Sequence, residues 1–88
     1  MFTKNMLKFL ESVSFLAVEH GYFTRVTIDE STRFVAVNFL NKDSQEIGLV
    51  AATFDDINKT ETPGHLALKL FNQMKERRFV NEHFEKTL

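Results

Sequence analysis

The stretch Arg33-Phe34-Val35-Ala36-Val37-Asn38-Phe39-Leu40 constrains the fold more than any other part of this chain. Side chains along a strand alternate between two faces. Val35, Val37 and Phe39 therefore point one way, and Phe34, Ala36, Asn38 and Leu40 the other. Both sets are mostly apolar. A strand with one wet face alternates apolar with polar residues, and this one does not. It is predicted to be the middle strand of a small antiparallel sheet, with a covering layer on each side.

The flanking segments supply its neighbours. Tyr22 to Asp29 reads as the first strand, and Asp29-Glu30-Ser31-Thr32 as a polar turn. Pairing Ile28 with Arg33 sets Val26 opposite Val35, Thr24 opposite Val37 and Tyr22 opposite Phe39. The apolar positions then coincide on one face, as a half-buried hairpin requires. That face is expected to lie under the helices. Asn41 to Gln45 is the second turn, and Glu46 to Phe54 the third strand. A five-residue turn sends Ile47, Leu49, Ala51 and Thr53 to the helix side. A shorter turn or a bulge inverts that assignment, and the sequence leaves the parity open.

Helical spacing brackets the strands. Phe2, Met6, Phe9, Leu10, Val13, Leu16 and Ala17 form one stripe over residues 3–20, ended by Gly21. Leu7, Phe15 and Val18 fall off that stripe. Either all three widen the buried face, or Phe15 and Val18 form part of a contact surface. Asp55 to Glu61 reads as a polar connection. Thr62-Pro63 is a helix start signal, followed by a stripe of Leu66, Ala67, Leu70, Phe71 and Met74 that degrades at Arg77-Arg78. The tail from Phe79 to Leu88 is a short third helix, with Asn81 as a candidate cap, or a frayed end. The fold class is α+β: a two-layer α-β-β-β-α arrangement, with a three-stranded meander and two helices on one face.

The 88 residues suffice for one domain spanning 1–88. Ten phenylalanines are more than so thin a core can hide, so some are expected at an edge or interface. A formal net charge of −1 argues against a dedicated nucleic-acid binder, and also against an acidic mimic of one. The chain has no cysteine, which excludes disulfide scaffolds and thiolate metal sites and suits a reducing compartment. Lys8 and Glu11 interrupt the first apolar run, so no signal peptide fits. No apolar run approaches the roughly 20 residues of a membrane span. A cytoplasmic protein without membrane attachment is the expectation.

Little in the sequence points to chemistry. His20, His65 and His83 lack the spacing of metal ligands. Asp55-Asp56 stands in a connecting segment where acidic residues turn or cap the chain. Ser12, Ser14, Ser31 and Ser44 sit in no nucleophile-elbow pattern, and Gly21, Gly48 and Gly64 form no phosphate loop. No catalytic residue, cofactor or metal is assigned. The element order resembles that of the double-stranded-RNA-binding domain, whose second helix opens on a lysine-rich phosphate clamp. The matching segment here, Pro63 to Lys69, has a single lysine, so the resemblance carries order and no binding function.

The functional expectation follows from the doubly apolar meander. It is a small non-enzymatic interaction or regulatory protein, in the style of a bacterial or phage accessory protein. Phe23, Phe34, Ala36 and Leu40 on the second sheet face, with Phe15 and Val18, are the candidate partner-binding residues, for a homodimer or another protein. Two alternatives stand beside it. In one, Phe79, Val80 and Phe84 fold back over that face and the chain is a self-sufficient monomer. In the other, Arg25, Arg33, Lys42, Lys75, Arg77 and Arg78 bind nucleic acid weakly, with a steep dependence on salt.

Overall fold

In a computed structural model, which describes the backbone of residues 2–87 and the side chains of residues 2–77, the central stretch is the middle strand of a meander. The elements run α1 (Lys4–Glu19), β1 (Phe23–Asp29), β2 (Phe34–Leu40), β3 (Glu46–Thr53), α2 (Phe54–Lys59) and α3 (Pro63–Thr87). The sheet is antiparallel in the order β1-β2-β3. The α+β class and the three-stranded meander are as the sequence predicts.

Helix α1 starts where Thr3 accepts a hydrogen bond from the Met6 N–H and stops at Gly21, whose φ is +73°. Gly21 N–H donates to Val18 O and Tyr22 N–H to Ala17 O, the two bonds of a left-handed helix stop. The stripe Met6, Phe9, Val13 and Ala17 is buried. It packs in one core with Val35, Val37 and Phe39 of β2, Val50 and Ala52 of β3, Phe54 and Ile57 of α2, and Ala67, Phe71 and Met74 of α3. Phe39 and Phe71 meet edge to face, with ring centroids 5.4 Å apart. The helices thus cover one sheet face.

Three features differ from the expectation, and one more, the parity of the second hairpin, settles what the sequence leaves open. Ile28 pairs with Val35 and Val26 with Val37, two residues along from the expected register. The reason is the turn. Asp29 stays in the ladder opposite Phe34, and its Oδ1 accepts from Ser31 N–H, Ser31 Oγ–H and Thr32 N–H, so the reversal falls on residues 30–33. A slip of two keeps every side chain on its face.

The second hairpin has the five-residue turn, with Leu40 opposite Glu46. A bulge at Ile47 then puts Gly48 opposite Phe39. This inverts the strand, and Val50 and Ala52 go to the core in place of Leu49 and Ala51.

The segment after β3 is a helix rather than a polar connection. Thr53 caps it by accepting from Asp56 N–H at 3.1 Å, Asp55 and Asp56 fill its first turn, and Phe54 and Ile57 are its buried side. Finally, α3 does not stop at Arg77-Arg78 but runs as one helix of 25 residues to Thr87, with no separate helix beginning at Asn81. The side chains of Arg78, Phe79, Val80, His83 and Phe84 lie outside the described residues.

Candidate functional site

The sheet face remote from the helices is built from alternate residues of all three strands. Its rows are Phe23–Leu40–Glu46, Arg25–Asn38–Leu49, Thr27–Ala36–Ala51 and Asp29–Phe34–Thr53. Ala36 is 8% exposed, Phe34, Asn38, Leu40 and Ala51 are half-buried, and Phe23 and Leu49 are exposed. Phe34, Ala36, Ala51 and Leu49 form a continuous apolar band across β2 and β3. Phe23 and Leu40 make a second apolar corner. Between them lie Arg25 and Asn38, and the Asn38 amide donates to Glu46 Oε1 at 2.8 Å. About half of the face is therefore polar, and all of that polarity on β1 comes from Arg25, Thr27 and Asp29.

Phe23, Phe34, Ala36 and Leu40 are thus brought onto one surface. Phe15 and Val18 are not part of it. They lie on the solvent side of α1, 64% and 76% exposed. Phe15 borders an apolar groove between α1 and α3, of about 400 Å³, shared with Ser12, Leu16, Gly64 and Leu68. The helices approach closely there, since a Cβ on Gly64 would stand 3.2 Å from Ser12 Oγ.

Sequence reasoning misses two further groups. Val26 and Ile28 belong to the helix side of β1 by register, yet they are 43% and 41% exposed. The helical layer sits over β2 and β3 and leaves β1 at its rim, with no residue of β1 buried. Leu49, on the helix side by simple alternation, is turned to the open face by the bulge. Of the ten phenylalanines, Phe9, Phe39, Phe54 and Phe71 are core, while Phe2, Phe15 and Phe23 are exposed.

The candidate cations do not converge. Arg25 is on the open sheet face. Arg33 reaches Asp55 at 3.6 Å and lies 5.8 Å over the Phe54 ring, and Lys75 lies 5.6 Å over the Phe71 ring. Arg77 stands beside Leu49 and Leu70 at the β3 edge. Lys42 is exposed in the second turn.

The polar groups with geometry are structural. His20 Nδ1 lies 2.9 Å from Leu16 O, and its ring is 4.9 Å from that of Phe71. His65 is exposed. Hydrogen bonds from Ser31 and Thr32 hold the Asp29 carboxyl below its ordinary value of 3.8. Among the described residues no three His, Cys, Asp or Glu side chains come together as metal ligands, and no helix is long and apolar enough to cross a membrane. The chain matches no family model, and comparison with curated proteins and with solved structures finds no similar one.

Proposed function

We propose that this chain is a non-enzymatic protein-interaction module of the regulatory or accessory kind, docking a protein on the open face of its sheet. The observation that supports this reading is the band Phe34–Ala36–Ala51–Leu49. It runs across two strands on the face opposite the helices, and no described element lies over it. Apolar side chains gathered on an open sheet, with Arg25, Asn38 and Glu46 beside them, form the kind of surface that offers burial at its centre and hydrogen bonds at its rim. The cysteine-free composition suits a reducing compartment such as the cytoplasm.

The test is capture from the source cell by the tagged chain, compared with Leu40→Lys, Leu49→Lys and the control Phe15→Ser. Capture of a given protein that survives Phe15→Ser and is lost in both lysine variants, with circular dichroism unchanged, supports the reading. Capture indifferent to both lysine variants overturns it. Binding of RNA or DNA that declines steeply with salt, and with Arg25→Ala, favours the nucleic-acid alternative instead.

A further inference from the structure

The two edges of the sheet are not alike. β3 is bulged at Ile47, and Leu70, Gln73 and Met74 of α3 flank its residues 49–51. β1 has neither protection. It is seven residues long, pairs with β2 without interruption from Phe23 to Asp29, and contains no proline. Among the described residues it has a strand on one side only. Its other side is a straight row of backbone donors and acceptors, a feature that sheets ordinarily blunt.

We infer that β1 is a self-pairing edge: two copies of this chain join β1 to β1, antiparallel, about a two-fold axis at Thr27, and form one six-stranded sheet. The side chains select that register. About Thr27, Arg25 of each copy lies opposite Asp29 of the other, and Val26 of each opposite Ile28 of the other. An axis at Val26 sets Phe23 against Asp29. One at Ile28 sets Val26 against Glu30, and one at Arg25 sets like charge on like. The Thr27 axis matches opposite charges and also matches apolar with apolar, the two kinds of cross-strand pair that stabilise a ladder. The bonds that Asp29 accepts from Ser31 N–H, Ser31 Oγ–H and Thr32 N–H fall on Oδ1. Oδ2 is the atom that the arginine of a second copy takes.

The same arrangement accounts for the apolar residues at this rim. The two-fold axes of an antiparallel ladder stand perpendicular to the sheet, so both helical layers fall on one side. Val26 and Ile28 of both copies then floor a trough between the two α1 helices. Helix α1 contacts β1, and Leu16 marks its α3 side. Leu7 is about two and a half turns from Leu16, on the opposite flank, and Val18 is about three turns from Leu7 on that same flank. Leu7 and Val18, 46% and 76% exposed, are the side chains that line the trough walls.

Because the chain has no cysteine, single cysteine variants read the register directly. Thr27→Cys meets its own copy at the axis and forms a disulfide-linked dimer under mild oxidation. Arg25→Cys is about 13 Å from its own copy in this register and does not. In sedimentation the wild type is a dimer at high micromolar concentration. Arg25→Asp and Asp29→Arg each weaken it by about tenfold or more, and an equimolar mixture of the two restores a dimer. Should Asp29→Arg fail to fold, the cysteine pair decides alone. A wild type that stays monomeric, or cross-linking through Arg25→Cys as fast as through Thr27→Cys, overturns the proposal. So does a dimer lost with Leu40→Lys and Leu49→Lys but unmoved by Arg25→Asp, which would put self-association on the open face. Failure of edge pairing leaves docking on that face untouched, because the apolar band Phe34–Ala36–Ala51–Leu49 belongs to β2 and β3 and only Arg25, at its rim, is shared with the edge.

Discussion

Gly48 lies directly against Met74: a Cβ on Gly48 would stand 2.7 Å from Met74 Cγ and closer still to its Sδ. The glycine is what allows the long side chain of α3 to lie on the bulged strand. Gly48→Ala must push Met74 out of its buried position. Overpacking of this kind costs about 1–3 kcal/mol, and the stiffer unfolded chain returns about 0.4–1 kcal/mol of it. A net destabilisation is expected in urea titration. Combined with Met74→Ala, the alanine at 48 has room, so the double variant is more stable than the sum of the singles implies. Strict additivity would show that the two positions do not share this space.

Asn5 ties α1 to the end of α2. Its Nδ2 group faces the carbonyls of Thr60 at 2.9 Å, Ile57 at 3.1 Å and Asn58 at 3.3 Å. These are orphan acceptors at a helix C-terminus. Asn5→Ala leaves them without that donor and is expected to cost about 1–2 kcal/mol. Asn5→Asp does worse at neutral pH, where an ionised carboxylate confronts three carbonyl oxygens. It recovers below about pH 4, where the protonated acid donates one bond. Equal stability of the alanine and aspartate variants at pH 7 would refute this account.

That tie also shows where the sequence is legible. The α1 stripe and the Thr62-Pro63 start of α3 are readable because each is a local pattern. Helix α2 is not, because only Phe54 and Ile57 carry its apolar period, although Thr53 three residues before Asp56 is a capping signal. The parity of β3 is hidden because the bulge at Ile47 breaks the alternation, and Met74, which packs against the next residue, Gly48, lies far along the chain. Strand alternation identifies the face of Val26 and Ile28, but alternation says nothing of how far a covering layer extends. Alternation does place the four sheet candidates on one face, as the pairs Phe23–Leu40 and Phe34–Ala36 with Arg25 and Asn38 between them, while Phe15 and Val18 lie on another surface.

Acid should act through Asp29. Its carboxyl is held low mainly by the Ser31 hydroxyl, then by Thr32. A group with a depressed folded value contributes fully above its unfolded value, the ordinary 3.8. As pH falls below that, the unfolded chain takes up the proton first, and the contribution is lost through the folded value. Asp29→Asn keeps an Oδ1 acceptor for the turn and does not titrate. Stability against pH should therefore be flatter below pH 3.8 in the variant than in the wild type, with the wild type the more stable at pH 7 and the two converging in acid. Parallel acid limbs in the two proteins would remove Asp29 from the account.

The left-handed positions make a pair of opposite predictions. At Gly21, with φ +73°, a Cβ would meet no atom within 4 Å, so Gly21→Ala meets backbone strain and nothing else, and should destabilise by about 1 kcal/mol. Ser44 adopts φ +63° in the exposed second turn, where its backbone N–H donates to Asn41 O at 3.0 Å. A side chain in that conformation costs about 1–2 kcal/mol. Glycine removes that cost and adds about 0.4–1 kcal/mol of unfolded-chain entropy. Ser44→Gly should therefore stabilise the chain slightly, raising the urea midpoint with an unchanged slope. A loss of stability at Ser44→Gly would mean that its hydroxyl, and not its backbone, holds the turn.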